Sequence, residues 1–544
     1  MEYHHADLFE GVADAIGERV ALICGDRRLT YAELDEHANR LAHHLADAGV
    51  GPGRHVAVQL YNGIEYAAAL LAALKIRAVP INVNYRYVES ELLYLYRDSD
   101  SVALLYDVEF EDRVAATAPD APKLKHLVAV GGGAPSIPGA VAYDEALADA
   151  DGTRTGFPPR SADDLYIIYT GGTTGMPKGV MWTTEQLLFA FWNPTLPRPA
   201  KPADIVEMAR NGGPLVMMPV PPLMHGAAQV ASWISWFMGA TLVYTRRFDA
   251  ADVWRTIARE KVNSLTITGD AMAIPMADEL ARGGYDTSSL LAFVSTGAIF
   301  TGSVRDRVQG LLPNTMIMDR FGSTESGSTA EAVAGSTPEK GLRFAPDVAD
   351  VTVLDDAFRP VEPGSGIVGQ VARTGHIALG YYNDPDKTAR TFPEVDGRRW
   401  LLTGDIATVA EDGSIAVYGR GSQAINTGGE KVFPEEVEAV LKGHPAVYDA
   451  VVTGIPDERW GNRVAAVIQP SGGGEPPERA PAPASAPASD DLDAHCRREL
   501  SGYKVPRVYA FVTEMKRSPA GKADYRWAKQ VAEAAADAPE RGRT

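Results

Sequence analysis

Thiols are scarce. Cys24 and Cys496 are the only two in 544 residues, which rules out a disulfide framework and suits a reducing compartment. Long apolar runs are missing too: no stretch approaches the ~18 apolar residues of a membrane span. The N-terminal MEYHHADLFEG is polar and acidic, without the basic and apolar segments of a secretory signal. Positive charge is also in short supply. The chain has 52 Lys and Arg against 71 Asp and Glu, a net charge of −19, which argues against nucleic-acid partners and against docking on anionic lipid. The expectation is a cytoplasmic protein with no integral membrane segment. Its hydrophobic content of 45% and charged content of 23% are ordinary for a globular chain. Its length exceeds one compact core, so two or more domains are expected.

What is present centres on Tyr166 to Trp182, YIIYTGGTTGMPKGVMW. Tyr166-Ile167-Ile168-Tyr169 reads as a buried strand. Thr170, Gly171, Gly172, Thr173, Thr174 and Gly175 follow, a loop that can turn its amides toward an anion with no Cβ in the way. Its hydroxyls add donors and candidate Mg²⁺ ligands, and Lys178 adds a full positive charge. The natural guest is a nucleoside triphosphate. The loop is not a Walker A motif, which needs Gly-Lys-Ser/Thr entering a helix. Pro177 biases Met176 away from the helical region, which puts Lys178 on a turn between strands.

Further motifs follow downstream. A proline-stiffened segment ends at His225, which by itself reads as a core histidine. An apolar helix over 227–237 follows, whose Gln229, Trp233 and Trp236 either line a pocket or belong to the core. Two strand-then-glycine segments lead to Asp270 and to Gly297-Ala298. A third strand runs into Asp319-Arg320-Phe321-Gly322-Ser323-Thr324-Glu325, with an aromatic face for a base, a hydroxyl for phosphate and a hard oxygen ligand for Mg²⁺. Asp405, Arg420, Gly428 and Lys522 each sit at a strand end or glycine turn. Residues 194–215 read as an irregular surface excursion. Residues 471–491 read as a disordered Pro/Ala/Ser insertion, followed by a helix over 492–500. Alternating strands and helices through residue ~130 indicate a parallel sheet with crossover helices.

YTGGTTGMPKG resembles the phosphate-binding signature of AMP-forming acyl-CoA synthetases, in the adenylate-forming superfamily that also holds luciferases and peptide-synthetase adenylation domains. The later motifs arrive in that family's order over almost the whole chain. INVNYRYVE, PPLMHGA, TGDAMA and SPAGKADYRWAK are similar to actinobacterial ligases for fatty and steroid side-chain acids. The resemblance implies an α/β fold: a large N-terminal domain of layered sheets and helices (1–419), a hinge (420–423) and a small mobile α+β C-terminal domain (424–544). It implies ATP, Mg²⁺ and CoA as co-substrate.

By that resemblance the 170–175 loop and Lys178 hold the triphosphate. Gly297, Ala298, Asp319, Phe321, Gly322 and Thr324 frame the nucleotide, and Glu325 with Thr174 ligates the metal. Asp405 binds ribose, and Arg420 contacts ribose and phosphate. Gly428 frames the pantetheine tunnel, and His225 borders the acyl site. Lys522 bridges carboxylate and α-phosphate. The chain departs from the family in having Phe321 for tyrosine, Arg320 for glycine, and Ser422-Gln423 at the hinge. The implied activity is ATP-dependent activation of a bulky hydrophobic acid followed by transfer to CoA. The alternative is an adenylating enzyme for an aryl acid, or for nitrite in diazotising an aryl amine. The partner is a small-molecule acid, and homo-oligomerisation is left open.

Overall fold

The computed structural model describes residues 1–170, 176–192, 196–332, 342–346, 350–427, 430–457, 459–471, 488–517 and 522–537. The expectations for residues 171–175 and Gly428, and most of the 471–491 insertion, lie outside the described residues. The architecture is mixed α/β, with a large N-terminal part and a smaller C-terminal one.

The N-terminal part is built on two sheets. In one, the strands Val79–Asn82, His55–Gln59, Ser101–Asp107 and His126–Val130 run parallel, as the early alternation indicated, and Leu165–Thr170 joins beside Val79–Asn82. Lys178–Thr183 folds back antiparallel on Leu165–Thr170, and Gly380–Tyr381 closes that edge. The other sheet has thirteen strands among the described residues, with Val216–Pro219, Ser264–Ile267, Ala292–Thr296 and Met316–Ser323 as a parallel run at its centre. Helix Gly226–Phe237 touches strands of both sheets, and it is mostly apolar because it is covered from two sides.

Local sequence chemistry sets several boundaries. Helix Tyr31–Asp47 begins with a capping box, in which Glu33 N donates to Thr30 Oγ1 at 3.2 Å and Thr30 N donates to Glu33 Oε2 at 2.7 Å. Three expectations need correction. Lys178 is the first residue of a strand, paired with Thr170. The ladder across the hairpin extends to the lysine because Pro177, not Lys178, takes the position without an N–H. Residues 202–211 form a helix with Ile205 and Ala209 buried. Pro202 stands at its first turn, where a missing N–H costs nothing. The helix after the insertion begins at Ser489 rather than Leu492, its first turn holding Asp490 and Asp491 in favourable relation to the dipole.

The C-terminal part packs helices Pro434–Lys442 and Tyr525–Asp537 on a three-stranded sheet. A short 3-10 turn, Gly421–Gln423, connects it to the strand Ile415–Arg420.

Candidate active site

Open parallel sheets bind ligands beyond the carboxyl ends of their strands, and here several such ends face one cleft of about 1210 Å³. Thr170 ends one strand, Thr296-Gly297 another, and Ser323-Thr324-Glu325 a third.

At one end of the cleft Lys178 and Thr170 share its wall with Thr324 and Glu325. Trp182 Nε1 donates to the Thr324 carbonyl at 3.1 Å, tying this turn to the lysine's own strand. The Tyr381 hydroxyl donates to Glu325 Oε1 at 2.9 Å. Above the same ring stand Lys178 Nζ, 5.9 Å from its centre, and Lys387 Nζ at 4.7 Å. Among the described residues no group of three or more His, Cys, Asp or Glu could hold a metal. The single Glu325 carboxylate beside Lys178 is a donor set that would suit Mg²⁺, which takes most of its oxygens from water and phosphate.

Another part of the wall is built from Gly297 and Ala298, Phe321 and Gly322, and Asp405 with Arg420. Gly297 has φ +77, a conformation open to glycine. Phe321 packs against Phe344, ring centres 5.1 Å apart. Gly322 is required, because a Cβ there would overlap the Gly327 carbonyl. Asp405 is buried and lies opposite Arg420 in the strand pair, with Arg420 Nε 2.9 Å from Asp405 Oδ1. Burial pushes the Asp405 carboxyl up, and Arg420, Thr403 and Lys522 pull it back.

Lys522 comes from the C-terminal part and shares this cleft. Although it keeps open surface, the protein crowded around its ammonium, then the Arg420 charge, holds it below the usual lysine range, while Glu325 and Asp405 act in the opposite sense. Glu435, which lines the same cleft, is pushed up to about 8 by burial and then by Glu438. Its Oε2 finds no hydrogen-bond partner among the described residues. A Cβ on Gly419 would collide with that carboxyl.

The remaining arm of the cleft follows from strand register. Met316, Met318 and Arg320 alternate, so they share one sheet face. They stand beside Ala292, Val294 and Thr296, which stand beside Ser264 and Thr266. All of these line the cleft, and Val230, Ala231 and Ile234 of helix Gly226–Phe237 line it from that helix. From Arg320 to Met316 is four residues of strand, about 13 Å. His225 begins the helix, and Gly226 lies against Ile168 and Thr324, with room for a Cβ only 3.2 Å from Ile168 Cγ2. His225 therefore lines the cleft between the arm and the Thr324 turn. Arg320 lines the arm and pairs with Glu331 at 3.2 Å.

The fold thus brings Lys178, His225, Gly297, Ala298, Asp319, Phe321, Gly322, Thr324, Glu325, Asp405, Arg420 and Lys522 to one cleft. It takes Gln229, Trp233 and Trp236 into the core instead: Gln229 Oε1 accepts the Tyr166 hydroxyl at 2.6 Å, Trp233 Nε1 donates to the same hydroxyl and Trp236 Nε1 to the Ala21 carbonyl. Sequence reasoning passed over Lys387 and Glu435, which look like ordinary helix first-turn residues. The only local signal was Lys387's place six residues behind Tyr381.

The family model described as AMP-binding enzyme matches residues 9–382, and that for the AMP-binding enzyme C-terminal domain matches 436–522. A medium/long-chain-fatty-acid--CoA/3-oxocholest-4-en-26-oate--CoA ligase of Mycobacterium marinum is 47% identical over 542 residues, covering 97% of this chain and 96% of that one. A 3-oxocholest-4-en-26-oate--CoA ligase of Rhodococcus rhodochrous is 47% identical over 553 residues, with the same coverage. An anthranilate CoA ligase solved with anthranoyl-AMP has the same fold, with TM-score 0.83 at 24% identity, covering 98% of both chains. With the family model spanning most of the chain and relatives this similar end to end, this chain belongs to the AMP-binding enzyme family.

Proposed function

We propose that the chain is an AMP-forming acid–CoA ligase. It converts a bulky hydrophobic carboxylic acid, of the fatty or steroid side-chain class, to an acyl-adenylate with ATP and then passes the acyl group to CoA. The observation that carries this reading is the entry of Lys522 from the C-terminal part into a cleft that holds Glu325, Asp405 and Arg420 and extends into a mainly apolar arm. The names of the similar ligases point to the same acid class. The functional division falls at a hinge over residues 420–423.

A carboxylate is a weak electrophile, and joining AMP to it creates a mixed anhydride with a good leaving group. The first step brings two anions together, so positioning and charge compensation dominate. Lys178 compensates charge at the triphosphate end. Lys522 holds the attacking carboxylate oxygen toward the α-phosphorus. Asp405 accepts from ribose hydroxyls, with Arg420 fixing its orientation. Glu325, positioned by the Tyr381 hydroxyl, is the residue that would hold Mg²⁺, which when bound neutralises phosphate charge. The arm from Arg320 to Met316 receives the hydrophobic acid and keeps water from the anhydride. In the second step the CoA thiol attacks the acyl carbon and AMP leaves. Lys522 obstructs that approach, so the C-terminal part rotates about the hinge and Lys522 withdraws.

The test is pyrophosphate release from ATP across a panel of fatty, cholesterol-derived and amino-aryl acids, with and without CoA. CoA-dependent turnover with one hydrophobic acid is the expected result. Turnover indifferent to CoA but dependent on nitrite and an aryl amine would sink the reading.

A further inference from the structure

The phosphate end of the cleft contains a second lysine to which the reaction above gives no task. Lys387 stands on the short helix Pro385–Thr391, just after Gly380–Tyr381, the strand that pairs with Lys178's own. Its presentation is built in several layers. The Asp384 carboxylate accepts from Lys387 N at 3.0 Å, and Thr388 Oγ1 accepts from Tyr381 N at 2.9 Å. Gly380, at φ +144, leaves space that the Thr388 side chain fills. The turn therefore holds the base of Lys387 in a set relation to the Tyr381 ring.

That ring carries two ammonium groups, Lys387 Nζ at 4.7 Å and Lys178 Nζ at 5.9 Å from its centre, and its hydroxyl donates to Glu325. Like charges in a partly desolvated wall repel. Burial, then the neighbouring Lys178 ammonium, lower the Lys387 ammonium to about 8, with Glu325 and Asp384 offsetting part of the effect. A lysine with only a solubility role would extend into water and avoid its neighbour. A multiply charged anion reverses the balance, since each added negative charge turns the crowding of the two lysines into attraction.

Position identifies the anion. Lys387 neighbours Lys178 and Glu325 across the Tyr381 ring. In the ligase reading Lys178 is the lysine of the triphosphate, whereas Asp405, Arg420 and Lys522 are assigned to the nucleoside and the carboxylate. We propose that Lys387 binds the pyrophosphate leaving group, sharing with Lys178 the charge that gathers on the β- and γ-phosphates as the acyl-adenylate forms. As the carboxylate oxygen bonds to the α-phosphorus, the bond from that phosphorus to the bridging oxygen breaks. The electron pair stays with pyrophosphate, where the two ammonium groups stabilise it. This inference rests on the ligase reading of the same cleft.

The experiment compares the wild type with Lys387→Met and Lys387→Arg in three measurements: ATP–pyrophosphate exchange with a turned-over acid, calorimetric binding of magnesium pyrophosphate, and thioester formation from a pre-formed acyl-adenylate with CoA. Lys387→Met raises the KM and Kd for pyrophosphate about tenfold or more, the scale of one charge-assisted hydrogen bond. Lys387→Arg restores most of the affinity, and thioester formation from the adenylate stays at the wild-type rate. Unchanged pyrophosphate affinity in Lys387→Met overturns the assignment. So does a loss shared equally by thioester formation and not rescued by arginine, which would mark a purely structural role. If the wild type exchanges with no acid, the ligase reading falls, and the calorimetric comparison still decides the role of Lys387.

Discussion

Lys442 Nζ lies 3.3 Å from Asp270 Oδ2 and so joins the C-terminal helix Pro434–Lys442 to the N-terminal helix Gly269–Ala281, with both side chains almost entirely buried. Asp449 Oδ1 stands 3.4 Å from the same ammonium, and Arg517 pairs with Asp449 from the other side. Burial alone would lower the Lys442 pKa, but Asp449 and Asp270 more than reverse it. Asp270 also accepts from Thr301 N at 2.9 Å, which fixes it on the N-terminal side. The pair joins the two parts in the arrangement that puts Lys522 in the cleft.

Breaking this pair is therefore expected to act on one half-reaction more than the other. Asp270→Asn leaves a buried ammonium short of one partner, a change worth roughly 2 kcal/mol or more in buried pairs. ATP–pyrophosphate exchange should fall at least tenfold on that scale. Thioester formation from a pre-formed adenylate should hold or rise. Equal loss in both half-reactions would mean that the pair supports folding alone.

Lys522→Ala should abolish adenylation, with exchange falling about a hundredfold or more, the scale seen when one preorganised charge-stabilising group is removed. ATP affinity, measured by calorimetry, should change little, because Lys178, Asp405 and Arg420 are untouched. A parallel collapse of ATP affinity would show that Lys522 serves nucleotide binding instead.

The apolar arm predicts a length filter. Ala231 lines the same arm as Val294 and Met318, so Ala231→Trp should fill part of it. Turnover of long or steroid acids should fall about tenfold or more, while a short acid keeps near wild-type kcat. Chain-length profiles of pyrophosphate release measure this directly. An unchanged profile would place the acid elsewhere.

Asp319 supplies a pH prediction. Burial pushes its carboxyl up to about 7, with Arg305 opposing and Asp270 adding to the rise. A folded-state pKa above the unfolded value means that the native state holds a proton the unfolded chain gives up. Stability is then full below the ordinary value of 3.8 and is lost as pH climbs to about 7. Asp319→Asn removes that loss. Relative to the variant, the wild type should lose up to about 3 kcal/mol between pH 5 and pH 8 in denaturant melts. Parallel curves would show that Asp319 ionises normally.

Part of this architecture could be read without coordinates. The Lys178 loop and the Phe321–Glu325 string are contiguous patterns, and contiguous patterns depend on local backbone chemistry. The Pro202–Asn211 helix was missed because neighbouring prolines masked an apolar stripe whose burial comes from distant partners. Trp233 and Trp236 could not be assigned to pocket or core, because a helix covered on two sides shows no polar face.

The motifs and their order established the family, the triphosphate chemistry and the candidates Lys178, Glu325, Asp405, Arg420 and Lys522, since each depends on residue types at short spacing. The tertiary structure alone decided which side chains share a wall. Strand register set Met316, Met318 and Arg320 beside Val294 and Thr296, and a hairpin edge set Lys387 against Lys178 over one tyrosine ring. The docking of the C-terminal part put Lys442 on Asp270. Such neighbours lie far apart along the chain, and their meeting depends on how sheets and helices bury one another, which spacing does not encode.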